Sequence, residues 1–170
     1  TMLGAYLHDS FGSRGAQSIF ADGAAALDLG DGWSLGAQGR YGTTSATAGG
    51  NVDEGTRFSS VAFSFDAGKR GLFQAGDRLG FRFASPLRVT HGALVLDLPD
   101  SYDYATQSAD FALRRVSLAP NGRELMGELG WTGEVLDGVL ATSLFYRSEP
   151  GHIAAAPDDA GLLVRWSRGF

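Results

Sequence analysis

The chain of 170 residues contains no cysteine, and only 5 of its residues are proline, against 25 glycines. The absence of cysteine excludes disulfide bonds and zinc sites built on thiolates. No stretch approaches the roughly 18 consecutive apolar residues that a membrane-spanning helix needs. If the chain enters a membrane, it must therefore do so as a closed sheet, because only helices and closed sheets satisfy their backbone hydrogen bonds in lipid.

Sequence motifs of enzyme chemistry are also missing. There is no glycine-rich phosphate loop and no serine in a Gly-x-Ser-x-Gly context. The run His8-Asp9-Ser10 has the residue types of a hydrolase triad, but triad members converge from separate segments. Acidic clusters at Asp100–Asp103 and Pro157–Asp159 lack the spacing of a calcium loop, which favours solvated loop tips. We therefore predict no catalytic activity, no metal and no cofactor.

The formal net charge is −5, and both signs are mixed along the chain. A nucleic-acid partner would need a basic surface, so this balance argues against one. The first residue is Thr1, and no charged-then-apolar signal segment follows it. We therefore expect a single β-domain, residues 1–170, that forms the C-terminal part of a longer precursor.

Alternation of apolar and polar residues predicts about ten strands and no long helix. They are Met2–His8, Ser18–Leu29, Trp33–Thr44, Thr56–Ala67, Arg78–Ala84, Ala93–Leu98, Ala109–Leu118, Arg123–Thr132, Val139–Arg147 and Gly161–Phe170. Gly30-Asp31-Gly32 and Ala119-Pro120-Asn121-Gly122 predict short hairpin turns, and longer polar loops lie between the strands. This alternation of connection lengths is typical of membrane barrels, although Greek-key sandwiches also mix loop lengths.

Each strand has one apolar and one polar face, because successive side chains point to opposite sides of a sheet. Leu35, Leu79 and Leu129 occupy apolar faces, and four charged residues occupy the opposite ones: Arg40, Arg82, Glu128 and Arg165. In a barrel, those four would face the lumen. Aromatic residues at strand ends suit the headgroup level of a bilayer: Tyr6, Trp33, Tyr41, Phe58, Trp131, Tyr146 and Trp166. A soluble sandwich with an aromatic core remains the alternative, because alternation does not say which face is wet.

The last strand candidate ends on the aromatic Phe170. Its apolar face carries Leu162, Val164, Trp166 and Phe170, which we predict to form a closing strand that is needed for membrane assembly. A free apolar terminus is otherwise hard to explain, since termini fray into water.

Several segments together resemble a known family. They are Ala84–Arg88, Gly92–Pro99, Tyr102–Tyr104, Arg115–Glu124, Gly127–Trp131, Leu144–Arg147, Pro150–His152 and Arg165–Phe170. This pattern resembles the C-terminal region of proteobacterial subtilisin-like secreted serine peptidases, over about the last 90 residues. The protease motifs themselves have no matching positions here, so no catalytic residue carries over.

The resemblance implies an autotransporter translocator, which is an outer-membrane barrel that exports or anchors an upstream passenger such as a subtilisin-like protease. It implies an antiparallel up-and-down β-barrel in the outer membrane of a Gram-negative bacterium. Its partners would be outer-membrane lipid, the barrel-assembly machinery and the passenger. Such barrels have twelve strands and a helix in the pore. The ten strands predicted here indicate part of that barrel, a smaller barrel, or a soluble β-rich accessory or binding module of a secreted protease.

Overall fold

The computed structural model describes residues 15–169, and these residues form β-strands joined by turns and loops. The strands are β1 (Ala16–Gly30), β2 (Trp33–Ala46), β3 (Arg57–Arg70), β4 (Arg78–Asp103), β5 (Ser108–Ser117), β6 (Leu125–Val135), β7 (Gly138–Ser148) and β8 (Asp159–Ser167). A single 3-10 turn, Pro150–His152, lies between β7 and β8. Among the described residues, no helix is long and apolar enough to cross a membrane.

The eight strands form one antiparallel, up-and-down sheet in the order β1-β2-β3-β4-β6-β7-β8, while β5 pairs with β4. The sheet is not closed within the described part of the chain. The prediction of an all-β, antiparallel fold is therefore confirmed at this level, and most neighbours in the sheet follow sequence order. The exception is β6, which pairs with β4 rather than β5, so residues 119–122 do not close the predicted hairpin. The predicted strand Met2–His8 and the residue Phe170 lie outside the described residues.

The predicted strands Arg78–Ala84 and Ala93–Leu98 belong to one continuous strand, so the prediction of two separate strands is wrong. Strand β4 runs for 26 residues, pairing first with β6 (Arg78–Ala84) and later with β5 (Ala93–Asp103). Pro86 lies inside this strand, although proline lacks a ladder donor. Pro86 lies just beyond the last β4–β6 pair, Ala84–Met126, where β6 no longer needs that donor.

The described chain divides into two compact units. The first comprises residues 15–21, Tyr41–Val61 and Val89–Pro120; the second comprises Asp22–Arg40, Ala62–Arg88 and residues 121–169. The first unit contains a small apolar core of Ala46, Val52, Phe58 and Leu96. Phe58 is only 3% exposed, so its predicted place among the interfacial aromatic residues is wrong. Its side chain is on the face that this core covers.

The connection from β2 to β3, residues 47–56, folds onto β4 within the first unit. Val52 forms an isolated bridge with Leu96, and the Asp53 amide donates to the Val95 carbonyl at 3.0 Å. The buried Thr56 hydroxyl donates to the same carbonyl at 3.2 Å and accepts from the Val95 amide at 2.9 Å. These bonds satisfy backbone groups that the folded loop would otherwise bury without partners.

In the second unit, three short connections lie at one end of the sheet: residues 31–32, 71–77 and 136–137. Asp31 and Gly32 both have positive φ, 49° and 80°, which matches the two-residue turn that suits twisted hairpins. The long connection of this unit, residues 149–158, lies at the opposite end, because antiparallel strands alternate in direction.

Candidate functional site

One face of the sheet in the second unit is apolar and exposed. Register places Phe81 beside Leu129, Leu129 beside Leu144, and Leu144 beside Leu162, so these side chains share a face across four strands. Leu129 is 45% exposed, and Leu162 is 70% exposed. The same face continues with other exposed residues: Leu27, Leu35, Phe65, Tyr146, Val164 and Trp166. This face is not packed into a core among the described residues.

All three tryptophans of the chain lie on this apolar face near its short-turn end. Trp33 opens β2 directly after the turn at residues 31–32. Trp131 pairs with Leu79 at the start of β4, and Trp166 pairs with Leu140 near the turn at residues 136–137. Two of the three indole nitrogens have partners: the Trp131 Nε1 donates to Asp77, and the Trp166 Nε1 donates to the Val135 carbonyl at 2.9 Å. An apolar ring with a satisfied polar tip suits a membrane–water interface.

The turn at residues 71–77 is organised by the buried carboxylate of Asp77, which is 1% exposed. It accepts backbone N–H bonds from Leu72 at 2.8 Å, Phe73 at 2.9 Å and Gln74 at 3.4 Å. Burial, the largest single influence, raises the pKa of Asp77, whereas the bonds from Trp131, Phe73, Leu72 and Gln74 lower it. Together the hydrogen bonds prevail, and the pKa lies below its ordinary value.

The opposite face of the second unit is polar and lines a cleft of about 740 Å³. Arg40 forms an ion pair with Asp22 at 2.5 Å. Arg82 lies 3.7 Å from Asp66 and 3.4 Å from the Ser64 hydroxyl. On the neighbouring strands, the Ser143 hydroxyl donates to Glu128 at 2.6 Å. Arg40 and Arg82 on this face are therefore each paired with an aspartate, and both pairs remain partly in contact with solvent.

Three of the four residues predicted to face a lumen come together in this cleft: Arg40, Arg82 and Glu128 all line it. Arg165 is on β8 opposite Ala141, which places it on the polar face but outside the cleft lining. Leu162, Val164 and Trp166 lie on the apolar face of β8, which is an edge strand of the described sheet. Their predicted role in assembly stays a prediction.

A dense hydrogen-bonded cluster joins segments that are far apart in the sequence. The buried Glu124 accepts from the Gly151 amide at 2.8 Å and lies 3.7 Å from Arg147. The Glu124 amide donates to His152 Nδ1 at 2.9 Å, so the other ring nitrogen carries the proton and donates to the Leu87 carbonyl at 3.1 Å. Arg88 Nε donates to the Gly122 carbonyl at 2.7 Å.

Sequence reasoning did not identify this cluster as a unit. The segments Ala84–Arg88, Arg115–Glu124 and Pro150–His152 carried the family resemblance, and each of them contributes to the cluster. Their proximity depends on a register that alternation alone does not specify. The cluster ties residues 122–124 and the start of the long loop to β4. Most of its polar groups bond to one another, but the buried Nε of Arg147 has no hydrogen-bond partner among the described residues.

The acidic segments considered as calcium loops are engaged in ion pairs and hydrogen bonds. Asp100 pairs with Arg114, Asp159 pairs with Arg147, and Asp158 accepts from the Tyr146 hydroxyl. In the part of the chain that the structure describes, no group of three or more His, Asp or Glu side chains is arranged to hold a metal ion. The run His8-Asp9-Ser10 lies outside the described residues.

Comparison with known protein families, curated proteins and solved structures finds no match to this chain.

Proposed function

We propose that this chain is a membrane-embedded β-domain that anchors or translocates an upstream passenger across the outer membrane of a Gram-negative bacterium. The observation that carries the proposal is the exposed apolar face of the second unit, opposite a charged cleft. A soluble protein would place such a face against a dry core, whereas a barrel presents it to lipid and keeps the polar face wet.

The strand lengths support a membrane-spanning role. Strands β1 to β3 have 14 or 15 residues, and β6 and β7 have 11 each. A tilted strand needs about 9–11 residues to cross the hydrocarbon layer. The tryptophans at the short-turn end would lie at headgroup level, and that end would face the periplasm, because barrels have short periplasmic turns.

The proposal includes closure of the sheet into a barrel through its edge strands β1 and β8. In the described sheet each of these strands has a neighbour on one side. A bilayer does not tolerate an edge whose N–H and C=O groups lack partners, so a lipid-embedded sheet must close. The translocator role and a protease passenger rest on the family resemblance of the sequence.

Single-cysteine labelling tests the membrane placement, and the cysteine-free chain makes it straightforward. Leu35→Cys and Leu129→Cys place a thiol on the apolar face, while Arg82→Cys and Gln38→Cys place one in the cleft. In outer-membrane vesicles, a lipid-phase thiol probe should label the first pair strongly and the second pair weakly. Equal labelling of the four variants, together with a chain that stays in aqueous buffer, would support a soluble accessory module instead.

The translocator role needs a separate experiment. A passenger domain fused upstream of residue 1 should become accessible to external protease on intact cells that express the fusion. The matched control is the same fusion with Val164→Arg on the apolar face of the edge strand β8, which should abolish display. If the membranes contain the folded domain but the passenger stays inside the cells, the translocator role is wrong and an anchor role remains.

A further inference from the structure

A lysine lies at the rim of the apolar face in the second unit. Lys69, the only lysine of the sequence, is near the end of β3 and shares the alternation of Phe65 and Ala67. Its ammonium donates to the Asp31 carbonyl and lies 5.4 Å from the centroid of the Trp33 ring. A lysine ammonium has three donors, so two N–H groups remain for a further acceptor.

An apolar groove of about 390 Å³ begins beside this pair. Leu35 and Ala67, which line it, are each two residues along the strand from Trp33 and Lys69, a distance of roughly 7 Å. Leu27, Phe65 and Phe81 form its walls. Asp66 also borders the groove, but its carboxylate is paired with Arg82 at 3.7 Å. The ammonium is therefore at one end of a groove with an apolar interior.

We propose that this groove binds one anionic phospholipid, with an acyl chain along Leu35 and Phe65 and the phosphate at the ammonium of Lys69. The inference rests on the proposed membrane placement. Lysine binds phosphate as a point charge, and a tryptophan ring beside it matches the headgroup level. The volume is within the range of about 300–1,000 Å³ that is typical of small-ligand sites. The site would therefore select a phospholipid of the leaflet at the short-turn end.

The test uses Trp33 as the reporter. The full chain with Trp131→Phe and Trp166→Phe retains one tryptophan and is reconstituted in phosphatidylcholine vesicles. Brominated phosphatidylglycerol or brominated phosphatidylcholine is then added at the same mole fraction. We expect phosphatidylglycerol to quench Trp33 at an apparent concentration about fivefold lower, the factor for roughly 1 kcal/mol from one basic residue at a membrane surface. Lys69→Gln should remove this preference.

The matched control is Arg70→Gln, which removes the neighbouring charge on the opposite face of β3. This variant should keep the preference for phosphatidylglycerol. Equal quenching by both lipids in the Lys69 protein would overturn the site and leave the membrane placement intact. Loss of the preference in Arg70→Gln would also overturn it, since a diffuse surface charge would then be the cause.

Two further outcomes complete the test. Absence of quenching by either lipid would overturn both the site and the proposed membrane placement. Native mass spectrometry of the unsubstituted chain and of Lys69→Gln checks the result without the tryptophan substitutions. One phosphatidylglycerol should stay bound to the former and be lost from the latter; equal retention would overturn the proposal.

Discussion

The carboxylate of Asp77 accepts a hydrogen bond of 3.1 Å from the indole nitrogen of Trp131. This bond joins the turn before β4 to β6 near its short-turn end, and a T-shaped contact between Phe73 and Trp131, at 6.5 Å between centroids, lies beside it. The carboxylate therefore fixes the turn through its backbone amides and the rim of the apolar face through one tryptophan.

Asp77 makes stability depend on pH in the acidic range. Because its folded-state pKa is lowered, its contribution is fully present above the unfolded-state pKa of about 3.9 and is lost as the pH falls through the lower folded-state value. Asp77→Asn should lower the midpoint of urea unfolding at pH 7. The difference between the two proteins should shrink as the pH falls below about 4, as measured by unfolding at a series of pH values.

The matched control for this prediction is Asp137→Asn. Asp137 is in the turn at the same end of the sheet, and its side chain is 87% exposed with a single ion pair at 3.7 Å to Arg168. An exposed pair contributes little, so this variant should follow the wild-type profile. A difference for Asp77→Asn that stays constant from pH 7 to pH 2 would contradict the assignment.

Alternation in the sequence predicted most strands because each face contrasts sharply in polarity. The predicted strands Trp33–Thr44 and Arg123–Thr132 correspond to β2 and β6, with boundaries shifted by a few residues. The continuity of β4 could not be predicted, since Pro86 and Gly92 are ordinary breakers and only the partners of the strand decide whether they are tolerated.

The sequence predicts which residues of one strand share a face, but it does not predict which residues of different strands lie side by side. The sequence placed Arg40, Arg82 and Glu128 on polar faces, but the meeting of these three in one cleft depends on register. The burial of Phe58 depends on the fold of residues 47–56, which carry no periodic signal. The Lys69–Trp33 contact joins the end of β3 to the start of β2, two positions far apart in the sequence, and alternation did not predict it either.

Gly92 is the one glycine of β4 that no other residue can replace without strain. Its φ is +117°, and a Cβ there would lie 2.2 Å from the Arg57 carbonyl oxygen and 2.4 Å from the Phe58 Cα. Gly92→Ala should therefore destabilise the fold by roughly 2–4 kcal/mol, measured by equilibrium unfolding. Gly80→Ala, on the same strand with open space around its Cβ position, should change stability little. Similar losses of stability for both variants would contradict the close approach of Gly92 to the backbone of Arg57 and Phe58.

The turn at Leu136-Asp137 contains backbone strain that a substitution of Leu136 can relieve. Leu136 has φ 54°, and its side chain is 83% exposed, so the residue bears the cost of the left-handed region without gaining packing. Leu136→Asn should stabilise the fold by roughly 1 kcal/mol, because asparagine tolerates this conformation in two-residue hairpins. Leu72→Asn replaces another exposed leucine at the same end, where φ is not positive, and should give no gain. A destabilised Leu136→Asn would count against the turn geometry.

Leu129 distinguishes a lipid-facing sheet from a soluble one, because it is exposed in the centre of the apolar face, between Phe81 and Leu144. If the face contacts lipid, Leu129→Arg should lower the free energy of unfolding from vesicles by about 2–4 kcal/mol. If the face contacts water, the same substitution should stay within about 0.5 kcal/mol, as exposed substitutions usually do. Gln38→Arg is the matched control, since it adds the same side chain to the polar cleft near the carboxylates of Asp22 and Glu128. The proposed membrane placement requires a large loss of unfolding free energy for Leu129→Arg and a small change for Gln38→Arg. Equally small changes for both variants would contradict it.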